Sequence, residues 1–462
     1  MPKLNVNREP MPSQPPEERK RNFQEVALGY EIDQAMREAA RCLTCKKPAC
    51  REGCPVSVDI PDFVRLLREG DLPGAARVLK SKNNLPAICG RVCPQESQCE
   101  SRCLLAKKGA AIAVGRLERF VADWERANGV RVPEPEAVRK HKIAVVGSGP
   151  AGLTAAADLA RLGYTVTIFE ALHLPGGVLS YGIPPFRLPR EVSQAEIEYV
   201  RRLGVEIRTD WVVGRSVTVE ELFADGYKAV FLGTGAGLPN FMNVPGENYN
   251  NVYSANEFLT RVNLMKAYQF PVYDTPVKIG RQVAVVGAGN VAMDSARTAL
   301  RLGAEKVTIV YRRSRAEIPA RLEELEHAEE EGIEFRLLTA PVRVLGDEKG
   351  SVVAMECVEM ELGEPDASGR RRPIPKEGSN FTLEVDQVIV AVGTSPNPLV
   401  PRTTDGLQTS RHGTVIADPQ TGRTSRKGVW AGGDVVTGAA TVIEAMGAGK
   451  RAAADIHAFL SG

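Results

Sequence analysis

Thiol side chains are concentrated near the N-terminus, where eight of the nine cysteines lie between residues 42 and 103. In a long chain such a concentration favours metal ligation over disulfides. The first four cysteines have the spacing C-x2-C-x4-C-x3-C-P, close to the bacterial iron-sulfur run C-x2-C-x2-C-x3-C-P, in which the fourth cysteine binds the other cluster. These four are Cys42, Cys45, Cys50 and Cys54.

A second group of four thiols follows, consisting of Cys89, Cys93, Cys99 and Cys103. The two groups indicate two halves of one double-cluster module, because neither group alone can complete two four-ligand sites. Soft, anionic thiolates suit iron. A structural zinc site is the alternative, but the region has a single C-x2-C pair and no His precedes residue 141. Cys357 lies apart from both groups and is interpreted as a small buried hydrophobe.

A nucleotide-binding pattern begins after the thiol region. The apolar run 143–146 is followed at once by Gly147, Gly149 and Gly152, and a second apolar run, 165–169, ends at Glu170. This order predicts a strand, a tight turn and a helix whose N-terminus faces a pyrophosphate, with the acid accepting a hydrogen bond from a ribose hydroxyl. A glycine-rich turn without a ligand is the alternative.

The same pattern returns 140 residues later. Gly287, Gly289 and Ala292 align with the first three glycines, and after one inserted residue Tyr311 takes the place of the acid. The next two residues are Arg312 and Arg313. Because an acid repels a ribose 2′-phosphate and an arginine fork binds one, the second site is predicted to prefer NADP(H). The alternative is that these arginines form an ordinary solvated turn.

Four further glycine-containing segments accompany the two nucleotide patterns. The loop after Glu170 contains Gly177 and Gly182, and it suits packing against a flat ring, although a surface connection is the alternative. Apolar runs end in Gly-Thr-Gly at 233–235 and in Gly-Thr at 393–394, and a Gly-Gly-Asp at 432–434 precedes the last predicted helix.

Length and charge restrict the possible classes of protein. A chain of 462 residues is expected to form two or three domains. The net charge of +2 gives no broad basic field for nucleic acid. The N-terminus lacks an apolar signal region and no run of 18 apolar residues occurs, so we expect a cytoplasmic protein without a membrane contact. Residues 1–22 are rich in proline and charge, and we expect an arm that orders only on a partner or on the body of the protein.

The order of these patterns resembles the two-dinucleotide-binding flavoprotein architecture. With the cysteine module, the chain from about Phe23 resembles the glutamate synthase small-chain family, which includes the large subunit of the ferredoxin-dependent NADH/NADP transhydrogenase, the sulfide dehydrogenase flavoprotein and the N-terminal half of dihydropyrimidine dehydrogenase. The segments that carry the resemblance are CGRVCPQESQCESRC, GRLERFVADW and AVGTSPNP.

The resemblance implies an α/β fold class with two Rossmann-like domains, the NADPH domain inserted in the FAD domain, preceded by an α-helical domain for two [4Fe-4S] clusters. The implied limits are 1–138 for the iron-sulfur domain, 139–275 and 396–462 for the FAD domain, and 276–395 for the NADPH domain.

The resemblance also implies two sets of cluster ligands. One set is Cys42, Cys45, Cys50 and Cys103; the other is Cys54, Cys93, Cys99 and a non-cysteine ligand. The position that matches this last ligand is Glu118, with Cys89 as the competing candidate.

Residues for the two nucleotides follow from the resemblance in the same way. The FAD residues are Gly147, Gly149, Pro150, Ala151, Gly152, Glu170, Gly177, Gly182, Arg187, Gly235, Gly433, Asp434, Ala440 and Thr441. The NADP(H) residues are Gly287, Gly289, Asn290, Val291, Ala292, Arg312, Arg313 and Gly393.

The resulting expectation is an NADPH oxidoreductase subunit that passes electrons between NADP(H), FAD and two clusters to a partner subunit. No side-chain nucleophile or general base is required, so no catalytic residue is predicted. The transhydrogenase subunit, whose flavin divides electrons between ferredoxin and NAD, is a close second, and the final acceptor stays open. A thioredoxin-reductase-like dithiol enzyme is rejected, because the nucleotide domains contain only Cys357. A scaffold that merely holds clusters is a further alternative.

Overall fold

The computed structural model describes residues 5–366 and 369–462. The N-terminal part is helical. In residues 60–68, for example, apolar side chains recur at 60, 63, 64 and 67, which is the spacing of one helix face, and all four are buried in the N-terminal part. Its helices are α1 (Pro16–Arg19), α2 (Ile32–Ala40), α3 (Ala49–Glu52), α4 (Ile60–Arg68), α5 (Leu72–Lys82), α6 (Pro86–Val92) and α7 (Val114–Asn128), and 3-10 turns cover Gln95–Ser97, Glu100–Arg102 and Leu104–Lys107.

The first nucleotide fold is a five-stranded parallel sheet with strand order β16-β4-β1-β2-β3. Apolar, β-branched strands of this kind are buried on both faces, and helices cover them. Its elements, with the short strand that follows them, are β1 (Lys142–Val146), α8 (Pro150–Arg161), β2 (Thr165–Phe169), α9 (Val178–Tyr181), α10 (Arg190–Arg202), β3 (Glu206–Arg208), α11 (Val219–Ala224), β4 (Tyr227–Leu232) and β5 (Leu238–Pro239).

The second nucleotide fold repeats this design with the order β6-β14-β7-β8-β9 and carries an antiparallel sheet of β10 to β13. Its elements are β6 (Val252–Ser254), α12 (Ala255–Asn263), β7 (Gln282–Val286), α13 (Asn290–Arg301), β8 (Lys306–Val310), α14 (Leu322–Glu330), β9 (Glu334–Arg336), β10 (Thr339–Gly346), β11 (Val352–Pro365), β12 (Arg371–Pro375), β13 (Phe381–Glu384) and β14 (Gln387–Val390), with 3-10 turns at Ala267–Gln269 and Arg315–Glu317.

The chain then returns to the first fold. Strand β15 (Thr394–Ser395) pairs antiparallel with β5, so the outgoing and returning segments lie side by side. The last elements are α15 (Leu399–Arg402), β16 (Val429–Ala431), α16 (Asp434–Thr437) and α17 (Val442–Ser461).

The strand pairing differs from the expected domain limits at one place. Strand β6 precedes residue 276, yet it pairs in parallel with β14 of the second fold. The crossing between folds is the β5–β15 pair rather than the loop just before the second glycine pattern. The second fold therefore takes its first strand from a segment that was assigned to the first fold.

The hydrophobic cores show how the three parts are joined. One continuous core contains residues of the helical part and of the first fold, including Phe63, Leu117, Ile143 and Ile456. The second fold has separate cores of its own. The first fold and the helical part thus form one packed unit.

The N-terminal arm, as far as it is described, lies on the body of the protein. Arg37 Nη2 in α2 donates to Glu9 Oε1 at 2.6 Å, and Arg19 Nε donates to Glu331 Oε1 at 3.0 Å. The arm therefore bridges the helical part and the second fold. Among the described residues, no helix is both long and apolar enough to span a bilayer.

Candidate functional site

The turn between β1 and α8 has the geometry that a bound pyrophosphate needs. Gly147 has φ of +97°, which L side chains rarely adopt, and a Cβ on Gly152 would lie 2.0 Å from the Gly147 carbonyl oxygen. A Cβ on Gly149 would meet nothing within 4 Å, so the space above it is open. Pro150, Ala151 and Gly152 begin α8, whose N-terminus therefore points at this space.

Glu170 is placed directly after β2 and is 6% exposed. Its Oε2 accepts hydrogen bonds from the amide and hydroxyl of Ser148 at 2.9 and 2.5 Å, and its Oε1 accepts from the amide of Leu172 at 2.8 Å. A carboxylate offers about four acceptor positions, so one position remains for a ribose hydroxyl. Sequence reasoning missed Ser148, because it occupies a variable position of the glycine pattern.

The other residues assigned to FAD surround the same turn. Gly177 and Gly182 bound helix α9, and a Cβ on Gly177 would lie 3.0 Å from the Cα of Gly149. A Cβ on Gly433 would lie 3.0 Å from the Cβ of Ala151, so the Gly-Gly-Asp segment also closes on this turn. Gly235 follows strand β4.

Asp434 and Tyr181 are two ionisable groups at this turn. Burial raises the pKa of Asp434 to about 6, although its carboxylate accepts from the amide of Ala440 at 3.2 Å. Burial also raises the pKa of Tyr181 to about 12, and the charges of Asp434 and Glu170 add to this. Sequence reasoning missed Tyr181. Thr441 is the N-cap of α17, where its side chain accepts from the amide of Glu444.

The turn between β7 and α13 repeats this geometry in the second fold. Gly287 has φ of +127°, and a Cβ on Gly289 would again meet nothing within 4 Å. Asn290, Val291 and Ala292 begin α13, and Val291 is 45% exposed. Gly393 follows β14 at the same edge of the sheet.

The two arginines after β8 have different environments. Arg312 is exposed, and within residues 5–366 and 369–462 its guanidinium makes no ion pair. Arg313 is buried; its Nη2 donates to Asp366 Oδ2 at 2.6 Å and its Nε to the carbonyl of Arg371 at 2.8 Å. Arg371 itself donates to Glu317 Oε1 at 2.6 Å. Arg313 thus connects the turn to the β11–β12 hairpin, whereas Arg312 is available to a ligand.

Arg187 is paired with the second fold. Its Nη1 binds both oxygens of Asp294 in α13, at 2.8 and 2.7 Å, and its Nε is 3.1 Å from Glu324 in α14. Both carboxylates belong to the second fold. Because of this pairing, we do not include Arg187 in the proposed flavin site.

The thiols separate into two groups by their electrostatic neighbours. We call Cys42, Cys45, Cys50 and Cys103 the outer thiol group; all four are half-buried. Burial raises the pKa of Cys50 to about 12, with Cys103 and Cys42 as the next causes. Burial also raises the pKa of Cys42, and Cys45 and Cys103 add to it. These four thiols are therefore mutual neighbours.

The remaining thiols form what we call the inner thiol group, Cys54, Cys93 and Cys99, beside Cys89 and Glu118. A hydrogen bond with Cys89 raises the pKa of Cys93, and burial and Glu118 add to the rise. Burial raises the pKa of Cys54 to about 11, and it also raises the pKa of Cys99; Glu118 contributes to both. Glu118 is thus an electrostatic neighbour of all three inner thiols.

Glu118 and Cys89 share one buried partner, Asn83. The Asn83 amide donates to Glu118 Oε1 at 2.7 Å, and its carbonyl oxygen is 3.7 Å from Cys89 Sγ. Burial raises the pKa of Glu118 to about 8, and no ion pair to it occurs among the described residues. A buried carboxylate without a cationic partner is costly, and a metal would supply the missing positive charge. The donor set fits an iron cluster with one oxygen ligand.

Residues beside the inner thiol group contact the first nucleotide fold through α17. Cys89 Sγ is 3.5 Å from Met446 Sδ, and Gln98 Nε2 is 3.4 Å from Thr441 Oγ1. A Cβ on Gly447 would lie 2.8 Å from the carbonyl oxygen of Pro55. Within the described parts of the chain, no three His, Cys, Asp or Glu side chains converge as ligands of one metal ion. A four-iron cluster instead binds each ligand through a different iron atom.

Fold and site together define an oxidoreductase class with two dinucleotide-binding folds behind a thiol-rich helical domain. Residues 19–130 match the family model described as dihydropyrimidine dehydrogenase domain II, 4Fe-4S cluster. Residues 141–449 match the pyridine nucleotide-disulphide oxidoreductase model. The chain is 35% identical over 465 residues to the glutamate synthase [NADPH] small chain of Escherichia coli, covering 99% of this chain and 98% of that one. It therefore belongs to the glutamate synthase small-chain family.

Two further similarities extend this placement. The beta subunit of the NADP(+)-dependent formate dehydrogenase of Moorella thermoacetica is 41% identical over 436 residues, which cover 89% of this chain and 60% of that subunit's length. Mycobacterium tuberculosis FprA in complex with NADPH superposes with a TM-score of 0.57 at 23% identity, over 70% of this chain and 85% of that one. This last similarity supports the fold alone.

These findings confirm the predicted family, the α/β fold class behind a helical 4Fe-4S domain, and the assignment as an oxidoreductase.

Proposed function

We propose that this protein is the electron-input subunit of an NADPH-dependent oxidoreductase, connecting NADP(H), FAD and two [4Fe-4S] clusters to a partner subunit that carries the acceptor site. When bound, FAD supplies the chemistry that joins a two-electron nicotinamide to one-electron clusters. The observation that carries the proposal is the packing of Cys89 and Gln98, which lie beside the inner thiol group, on α17, whose N-cap Thr441 is one of the residues assigned to FAD.

At the first fold, the chain would hold the dinucleotide by its backbone. The open space above Gly149 leaves room for the pyrophosphate, and the N-terminus of α8 favours its negative charge. Glu170, fixed by Ser148 and Leu172, would accept a ribose hydroxyl without rearranging. Asp434 and Tyr181 would complete the buried side of the site.

At the second fold, Arg312 would provide the preference for NADP(H). Its exposed guanidinium can approach a 2′-phosphate, and the Arg313–Asp366 ion pair fixes the neighbouring backbone. Tyr311 replaces the acid that would repel this phosphate. NADH has no 2′-phosphate for Arg312 to bind, so it should bind more weakly than NADPH.

For the clusters, we propose that the outer thiol group holds one and that the inner thiol group with Glu118 holds the other. Glu118 is preferred over Cys89 because it neighbours all three inner thiols. The proposed domain limits are residues 1–138, 139–251 with 396–462, and 252–395. The free thiols are consistent with a reducing compartment, so we propose a cytoplasmic location.

Anaerobic purification tests the proposal directly. We expect about eight iron atoms per chain, a bound flavin, and bleaching of its colour on adding NADPH. A colourless protein, or zinc in place of iron, would contradict it.

The ligand assignment has its own test. Glu118→Ala should change the electron paramagnetic resonance signal of one cluster, while Cys89→Ala should leave both signals unchanged. The opposite result would assign the position to Cys89.

A further inference from the structure

Exposed basic residues surround the outer thiol group. Segments 42–53 and 101–109, which contain its four thiols, carry six basic side chains and one acidic side chain, a net charge of +5 in a chain of net +2. All six basic residues are exposed, namely Lys46, Lys47, Arg51, Arg102, Lys107 and Lys108. Within residues 5–366 and 369–462, one of the six makes an ion pair, Arg51 with Asp59 at 3.8 Å.

The two segments form one surface. A Cβ on Gly53 would lie 2.9 Å from Cγ of Arg102 and 2.7 Å from the carbonyl oxygen of Gln98, so the segments are in contact. The basic residues therefore belong to a single face over the outer thiol group, which we call the outer face.

Apolar side chains lie beside the thiols on this face. Leu43 directly follows Cys42 and is 46% exposed, and Leu104 directly follows Cys103 and is 45% exposed. Exposed single leucines are common, but two leucines, each next to a proposed ligand and within four residues of two exposed lysines, have the composition of a small interface with apolar and charged parts.

Charge compensation of the cluster does not account for these features. Exposed side chains are screened by water and salt, so they change the energy of a buried anion little. The exposed leucines would also have no role in compensation. A docking face accounts for both.

We propose that the outer face is the docking site of an electron-carrying protein whose own redox centre is surrounded by carboxylates. The inference rests on the proposed function, because it needs a cluster on the outer thiol group. One electron leaves that cluster, which is oxidised, and enters the partner's centre, which is reduced; no bond forms and no proton moves. Complementary charge would steer the partner and raise its association rate.

Two forms of one acceptor test the sign of the charge. Native cytochrome c is basic and its succinylated form is acidic, while both contain the same redox centre. With the holoprotein at low salt, we expect the succinylated form to bind at least about tenfold more tightly than the native form, with affinity falling as salt rises. Equal binding, or tighter binding of native cytochrome c, would overturn the proposal.

Charge-reversal variants locate the face. Lys107→Glu with Lys108→Glu should weaken binding of succinylated cytochrome c about tenfold or more at low salt, and Lys46→Glu with Lys47→Glu should act alike on the other segment. The matched control is Lys228→Glu with Lys427→Glu. Both lysines are exposed and lie outside the two basic segments, Lys228 near the start of β4 and Lys427 two residues before β16. An equal loss in the control, or no loss in either test variant, would overturn the proposal.

The failure of this inference is distinguishable from failure of the proposed function. Iron content and NADPH bleaching are measured on the same variants, and ferricyanide serves as a small acceptor that needs no docking face. Absent iron or absent bleaching in the wild type rejects the proposed function. Normal iron and bleaching with unaltered binding in the variants rejects the docking face alone.

Discussion

The two nucleotide turns share their geometry but differ in their surroundings. The amides of Gly147 and Gly287 donate to the last carbonyl of the next strand at 2.8 and 2.9 Å, and the amides of Glu170 and Tyr311 donate to the last carbonyl of the third strand at 2.8 and 2.9 Å. The two turns therefore share the same pattern of backbone hydrogen bonds. What differs is how much protein covers each helix start.

Protein covers the first turn and leaves the second one open. Ala151 is buried, with Gly433 against it and Gly449 so near that a Cβ there would lie 2.3 Å from the Ala151 carbonyl oxygen. At the corresponding position of the second fold, Val291 is largely exposed. The first site thus suits a resident cofactor and the second an exchanging one.

The two folds are also attached to the rest of the protein differently. The first shares an apolar core with the helical part. The second is joined by buried ion pairs: Arg187 binds Asp294 and Glu324, and Arg19 of the N-terminal arm donates to Glu331 at 3.0 Å. Apolar contacts are insensitive to acid, whereas carboxylate–arginine contacts are not.

The largest effect is expected for Gly152→Ala. Its Cβ would lie 2.0 Å from a backbone oxygen that cannot move without opening the turn, so we expect loss of flavin, measured as the flavin-to-protein ratio after purification. The second fold already has Ala292 at this position, so Ala292→Gly should leave flavin content unchanged. Normal flavin in Gly152→Ala would show that the first turn is not the tighter one.

Glu331→Gln should give the next largest effect. Its side chain is fully buried among Arg19, Arg297 and Arg301, and removing one partner of such a group costs about 3–5 kcal/mol. Hydrogen exchange should show faster opening of α13 and α14, with α8 unaffected. The control is Glu334→Gln, which removes an exposed pair with Lys306. Equal opening of α8 would mean that the two folds are not attached separately.

Local patterns were enough to predict the two turns, because strand, glycines and helix are adjacent in sequence. Glu170 and Arg312 could be proposed from sequence because Glu170 directly follows β2 and Arg312 lies two residues after the end of β8. The family resemblance implies that Arg187 lies at the flavin, yet its ion-pair partners come from α13 and α14, more than 100 residues away. Such pairing depends on how the folds pack and leaves no local signal.

Strand β6 shows the same limit for domain boundaries. It is three residues long and half-buried at two of them, so no periodicity marks it, and only its pairing with β14 assigns it to the second fold. The roles of Ser148 and Asn83 likewise depend on contacts with residues distant in sequence.

Arg312→Gln should have a smaller, selective effect at the open site. Losing a charge-assisted hydrogen bond to a 2′-phosphate costs about 1.5–3 kcal/mol, so KM for NADPH should rise about 10- to 100-fold while KM for NADH stays constant. Arg313→Gln removes the Asp366 pair and should affect both nucleotides alike. Equal effects of Arg312→Gln on both would remove it from the 2′-phosphate site.

The smallest effect is expected from mild acid, which should weaken the ion-pair attachment of the second fold but not the apolar attachment of the first. Burial raises the pKa of Glu324, but Arg187 and Arg297 outweigh it and bring the value down to about 2, while Arg301 and Arg297 similarly hold the pKa of Glu331 below its ordinary range. A carboxylate with such a depressed pKa adds to the free energy of unfolding. This contribution is fully present above the ordinary pKa of 4.5 and is lost as pH falls below it, by about 1 kcal/mol per carboxylate at pH 4.

One neighbouring group acts in the opposite direction. Burial raises the pKa of Asp294 to about 6, so its proton uptake between pH 6 and about 4 favours the folded state. Net loosening of the second fold should therefore begin only below about pH 4.5. Hydrogen exchange of α13 and α14, corrected for the intrinsic rate at each pH, should then accelerate before that of α8 and α17. If α8 and α17 opened first or together with them, the ion pairs would not be what holds the second fold in place.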